Sequence, residues 1–101
     1  MYNQFSVNSD AACVQGHFPG MPVVPGAWLL GRAHSALLAR FPACRVAELK
    51  KVKFLAPLLP EQLAILSIDD SRWPRIKVTL AHAEQLLLEA SFVLVEDASA
   101  Q

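Results

Sequence analysis

The sequence is poor in most of what would mark a membrane, nucleic-acid or secreted protein. No apolar run approaches the roughly 18 residues that a membrane-crossing helix needs. Nine basic and nine acidic residues leave a formal net charge of zero, which argues against nucleic acid or an anionic membrane surface as a partner. The first residues, Met1-Tyr2-Asn3-Gln4, offer neither a basic stretch nor an apolar core, so no signal peptide is expected, and the expected location is cytoplasmic. The two cysteines, Cys13 and Cys44, stand alone. They lack metal-ligand spacing and read as reduced thiols, with no metal and no cofactor expected. Carboxylates are missing from the whole stretch between Gly16 and Ala47. Internal repeats, linkers and low-complexity segments are also absent.

What is present is concentrated. Three prolines and three glycines fall within Gly16-His17-Phe18-Pro19-Gly20-Met21-Pro22-Val23-Val24-Pro25-Gly26. Proline fixes φ and removes a donor, so this is a stiff loop and not a regular element. It holds one histidine, the side chain that titrates near neutral pH. From Ala27 the pattern turns helical. Leu29, Leu30, Ala33, Leu37 and Leu38 recur at i, i+3, i+4 spacing, and Trp28 and Ala36 widen the stripe. The helix is predicted over Gly26–Arg40, with Arg32, His34 and Arg40 toward water, and Phe41-Pro42 ends it. Gly31 sits inside it, at a cost of about 1 kcal/mol relative to alanine.

The loop resembles the signature H-F-P-G-x-P-x-x-P-G of the hot-dog-fold β-hydroxyacyl-(acyl carrier protein) dehydratases of fatty acid synthesis, and of relatives in aryl polyene and other polyketide-like pathways. His17 to Gly26 matches at full spacing. The remaining pattern fits the same element order. A short strand is predicted at Phe5–Val7 and a turn at Asn8-Ser9-Asp10. After the helix, strands are predicted at Arg45–Leu55, Glu61–Asp70, Trp73–His82 and Leu86–Val95. Breaks fall at Ala56–Pro60, Asp69-Asp70-Ser71 and Ala83-Glu84-Gln85, and Glu96–Gln101 reads as a frayed tail. Short turns imply antiparallel neighbours, and one long helix is available to cover the concave face of a curved sheet. The expectation is a single α+β domain over 1–101. The resemblance independently implies the hot-dog arrangement, a central helix wrapped by an antiparallel sheet. A chain this small and this apolar is expected to share surface with a second subunit.

The resemblance also implies a chemistry. His17 would remove the α-proton of a 3-hydroxyacyl thioester and help to expel the hydroxyl, as an imidazole acting as base and then acid is suited to do. The backbone N–H of Gly26, at the start of the helix, would stabilise the enolate-like oxygen. Phe18, Pro19 and Gly20 would shape the loop, and Val24, Pro25, Ala27 and Gly31 would line the substrate site. The implied partners are acyl carrier protein bearing the phosphopantetheine thioester, and a second chain forming a homodimer, a larger homo-oligomer or a heterodimer with a homologue.

The sequence departs from the pattern at one position. The family places Glu or Asp fourteen residues after the histidine, to act across the dimer interface; Gly31 stands there, and Ser35 replaces the Gln that tends to follow. The base and the oxyanion donor remain and the acid is gone. One alternative is therefore a weak or silent subunit whose partner supplies the carboxyl. Another is an acyl-binding protein or thioesterase, against which the H-F-P-G-x-P pattern argues. Elsewhere, His34 reads as a polar-face or interface residue and not a surrogate acid, and His82 as structural or solvated. Trp28 and Trp73 read as core or interface, and Glu48, Asp69, Asp70, Glu84 and Glu89 as solvated. Arg40, Arg45, Lys50, Lys51 and Lys53 form either a docking surface for an acidic carrier or an ordinary solvated face.

Overall fold

The computed structural model describes residues 2–7 and 24–97. The turn expected at 8–10, the loop carrying His17, Phe18, Pro19 and Gly20, and residues 98–101 lie outside the described residues. Five strands and one helix follow the expected order: β1 (Tyr2–Phe5), α1 (Gly26–Arg40), β2 (Cys44–Phe54), β3 (Ala64–Arg72), β4 (Arg75–His82) and β5 (Gln85–Glu96). The strands form one antiparallel sheet in the order β1-β3-β4-β5-β2. The result is α+β, as expected.

The helix has the predicted bounds because its signals are local. Pro25, at φ −59° and ψ 139°, delivers an extended chain into the first turn. At the other end the Phe41 N–H bonds to the Leu37 carbonyl at 3.0 Å before Pro42 ends the element. Leu29, Ala33 and Leu37, four residues apart, are its buried stripe. They belong to one apolar core with Ile76, Val78 and Leu80 of β4 and Leu88, Ala90, Phe92 and Leu94 of β5. Those strand residues alternate, so their neighbours Arg75, Lys77, Glu89 and Ser91 stand on the opposite face of the sheet.

Strand bounds differ from expectation where pairing overrides alternation. The first strand is Tyr2–Phe5 and not Phe5–Val7, because residues 2–5 pair with β3. Phe5 and Val7 are both buried, but the Val7 carbonyl accepts the Glu61 N–H instead of a ladder bond. The start of β3 moves from Glu61 to Ala64 because residues 59–62 close a turn. There the Leu59 N–H bonds to Gln62 Oε1 at 3.0 Å, and Glu61 has φ 71°. Asp69-Asp70-Ser71 is not the turn. The Asp69 carboxylate accepts the Ser71 N–H at 2.9 Å, which keeps an irregular strand running to Arg72. The reversal falls instead at Trp73-Pro74, a cis peptide. Trp73 thus leaves the strand, lies half exposed and packs its ring 5.2 Å from that of Phe41. At the C-terminus Glu96 belongs to β5, and the Asp97 N–H bonds to the Ala43 carbonyl, so the expected fraying does not begin at 96.

Bulges bend the sheet. The β2–β5 register shifts between Val46 and Glu48 and again between Leu49 and Lys51, and each extra residue kinks and twists its strand. A third shift, between Leu80 and Ala81 on β4, leaves Leu87 as the extra residue on β5. Leu87 and Leu88 are consequently both buried, which strict alternation forbids.

Candidate functional site at the helix N-terminus

The site begins with a backbone problem. The first N–H groups of a helix have no intrahelical acceptor. In α1 the Trp28 and Leu29 N–H groups both reach the Pro25 carbonyl, at 3.1 and 3.2 Å. No side chain caps the helix, and its first turn contains no acidic residue. Among the described residues nothing accepts from Gly26 or Ala27, and the N-terminal end of a helix carries a partial positive charge that favours an anion.

Tertiary contacts place an apolar groove at this end. The Val24 N–H bonds to the Leu58 carbonyl at 2.9 Å, and both residues are buried, which anchors the chain just before the helix. The bulged Leu87 turns its carbonyl toward Leu55 and Ala56, whose N–H groups bond to it at 2.8 and 3.3 Å. Val24, Pro25, Gly26 and Leu29 then face Phe54, Leu55, Ala56, Pro57 and Leu87 across a groove of about 530 Å³. None of these lining side chains titrates. Its chemistry is that of backbone donors beside apolar side chains, and backbone donors are what steady a developing oxyanion.

Phe54 was not singled out by the sequence. A Cβ added to Gly26 would lie 2.8 and 2.9 Å from two carbons of the Phe54 ring, so the glycine is what lets that ring close against the helix start. The available signal was the alternation of Val52 and Phe54 toward the helix side just before the Ala56-Pro57 break. Because Phe54 remains 57% exposed, its ring can swing away. Gly26→Ala is therefore expected to leave the stability within about 1 kcal/mol of wild type while displacing the ring. In Phe54→Ala the same substitution should be silent. Urea unfolding of the four proteins checks this, and a large loss in Gly26→Ala that persists without the ring would refute it.

The other sequence candidates scatter. Ala27 is exposed and lies outside the groove. Gly31 lies on a different face of α1, in a shallow depression with Trp28, Arg32, Ser35 and Ala36, and an added Cβ there meets nothing within 4 Å. Within one chain Gly26 and Gly31 therefore do not share a cavity. Arg32 sits over the Phe5 ring, 4.6 Å from its centroid, and Phe5 packs on Trp28. His34 stacks near Phe92, and His82 Nδ1–H donates to the Leu63 carbonyl at 2.7 Å, a structural role. Among the described residues no cluster of His, Cys, Asp or Glu fit to hold a metal is found, and no helix is long and apolar enough to cross a membrane.

The charged residues do not form the single patch considered above. Arg40 lies over Phe41 at the helix C-terminus, Lys50 pairs with Glu48 at 3.3 Å, and Lys51 and Lys53 line the outer face of the sheet. Glu89 is not simply solvated: it pairs with Lys77 at 2.8 Å. The hydrogen bond from Lys77 holds its carboxyl below the usual value. Asp69 is likewise lowered, chiefly by its hydrogen bonds from Ser71.

The family model of the ApeI-like group, described as ApeI dehydratase, matches residues 1–89. No curated protein is similar enough in sequence to match. Among solved structures, the dehydratase heterocomplex ApeI:P from Xenorhabdus doucetiae superposes with a TM-score of 0.82 at 20% identity, covering 94% of this chain and 86% of that one. An uncharacterized protein from Erwinia carotovora subsp. atroseptica gives 0.76 at 18% identity, covering 94% and 82%. A 1,4-dihydroxy-2-naphthoyl-CoA thioesterase from Synechocystis gives 0.62 at 20% identity, covering 99% and 85%. At these identities the structural likeness establishes the fold, which is the hot-dog fold that the loop motif implied.

Proposed function

The chain belongs to the ApeI-like dehydratase family, and from that premise we propose that it acts on a 3-hydroxyacyl thioester carried by an acyl carrier protein, forming the trans-2-enoyl thioester and water. The observation that carries this reading is the uncapped, acid-free N-terminus of α1 opening into an apolar groove. In the proposed reaction His17 takes the C2 proton. The electron pair of that bond becomes the C2=C3 double bond, and the C3–O bond breaks. The oxygen leaves as water once it has gained a proton. The Gly26 N–H steadies the negative charge that builds on the thioester oxygen. Phe18, Pro19 and Gly20 hold the loop, and Val24 and Pro25 form the near wall of the groove.

Gly31 makes the proton on the departing oxygen the weak point. With no carboxyl on the helix, that proton comes back from the imidazolium or from water, and turnover is slow unless a partner chain supplies an acid. A second subunit is part of the proposal for a structural reason. β2 is an edge strand of eleven residues, and Leu49, Phe54 and Leu55 stand exposed on or beside it. A long edge strand presents unpaired backbone groups that are a template for pairing. Leu49→Lys is expected to weaken self-association or heteromer formation by about tenfold or more, the equivalent of unburying one leucine. Light scattering across a concentration series reads it, and an unchanged mass at every concentration would place the interface elsewhere.

The function itself is tested by supplying 3-hydroxyacyl carrier protein to the wild type and to His17→Ala. Enoyl product from the wild type and none from His17→Ala supports the proposal. Release of free thiol without enoyl product supports the thioesterase reading instead.

A further inference from the structure

The face of the sheet turned away from α1 carries a second feature, independent of the helix site. Five of the nine basic residues of a formally neutral chain gather there: Lys51 and Lys53 from β2, Arg72 from the end of β3, and Arg75 and Lys77 from β4. They surround a basin of about 390 Å³ that also contains Asp69, Glu89, Ser71 and Ser91. Its shape follows from the register. Ser91 pairs with Lys51 on one side and with Lys77 on the other, so a short side chain forms the floor between two long ones.

The two carboxylates do not neutralise this face. Glu89 is engaged by Lys77, and Asp69, held ionised by its hydrogen bond from Ser71, offsets only one of the remaining four cations. Among the described residues Lys51, Lys53, Arg72 and Arg75 are in no ion pair. Five cations on three strands thus converge on two carboxylates, and the basin keeps a surplus of three positive charges. Like charges held together on one rigid sheet repel, and a compact anion of matching charge relieves that repulsion. Arginine and lysine are also the donors that bind phosphate oxygens best.

We propose that this outer-face basin binds an organic diphosphate. A concave, polar pit favours a compact, multiply charged group over the flat face of an acidic protein. Two sources of the same chemistry fit: a free nucleotide, or the diphosphate end of a thioester carrier. In the second case the thioester arm has to pass around the β2 edge to reach the helix site, because Lys53 and its neighbour Phe54 stand on opposite faces of the sheet.

The test is calorimetric titration of the full chain with pyrophosphate, ADP and coenzyme A, using wild type, the double variant Lys51→Ala/Arg75→Ala, and Arg40→Ala as a control outside the basin. Saturable binding to wild type and Arg40→Ala, weakened about tenfold or more in the double variant, is the expected result, since each lost charge-assisted bond is worth about that factor. Binding should also weaken as salt is raised. If the Gly26 amide resonance moves with coenzyme A and not with ADP, the source is a thioester carrier. If it moves with neither while both bind, the source is a free nucleotide. Absence of saturable binding to all three probes, equal binding by the double variant, or binding of a poly-glutamate peptide in their place overturns the proposal. None of these outcomes depends on dehydratase activity, so the two readings fail separately.

Discussion

Gly31→Glu is expected to raise the dehydration rate by about 10² to 10⁴, the contribution of one positioned acid–base group. The substitution is favourable locally. The residue lies mid-helix on an exposed face, an added Cβ has open space around it, and replacing glycine there stabilises the helix by about 0.5–1 kcal/mol. The gain should depend on the other half of the site, so adding His17→Ala to the Gly31→Glu protein should abolish it. A Gly31→Glu protein that is folded, assembles as wild type does and turns over no faster would show that the glycine is not an acid's vacant place. A wild type already as fast as the Gly31→Glu protein would show instead that the missing carboxyl comes from elsewhere, and a partner homologue would be the first place to look.

The second large effect is on the fold that presents the site. Leu37→Ala is expected to lower the unfolding free energy by about 2–5 kcal/mol, the range for emptying a well-packed leucine site. Leu37 is fully buried on the stripe of α1 that faces the sheet, and whole domains are stable by only about 5–15 kcal/mol. Leu38, one position along and only half buried, should lose distinctly less on the same change. Urea unfolding of both variants decides it. Equal losses at the two positions would mean that the helix does not pack through the Leu29, Ala33, Leu37 stripe. Because the same stripe holds the N-terminus of α1 over the sheet, a destabilised Leu37→Ala should also lose activity on heating before the wild type does.

The edge strand and the outer basin share one consequence for assembly. The charged face is a poor surface for stacking one sheet on another, whereas the edge at β2 has its backbone groups open to a partner. Lys51 and Lys53 of the basin belong to that same strand, so association through the edge brings a partner to the rim of the basin.

The sequence by itself determined the helix, its bounds and the element order. Those depend on short-range rules: proline geometry at Pro25 and Pro42, and the spacing of Leu29, Ala33 and Leu37. It also determined the family, through ten consecutive positions from His17 to Gly26, and the departure at Gly31. Tertiary structure alone decided the strand ends, because a strand stops where its partner stops. Val7 leaves the ladder although it alternates correctly, and Asp69-Asp70-Ser71 stay within β3 although they read as a turn. Structure alone also decided which residues meet. The bulge at Leu87 turns its carbonyl to Leu55 and Ala56, and this sets the wall of the groove, while the bare Cα of Gly26 lets the ring of Phe54 close against the helix start. Gly26 and Gly31, five residues apart on one helix, prove to face different depressions because 3.6 residues make a turn. Lys51 and Arg75, distant in the chain, line one basin because β5 lies between their strands. No local pattern encodes such long-range register, and it is register that places the chemistry.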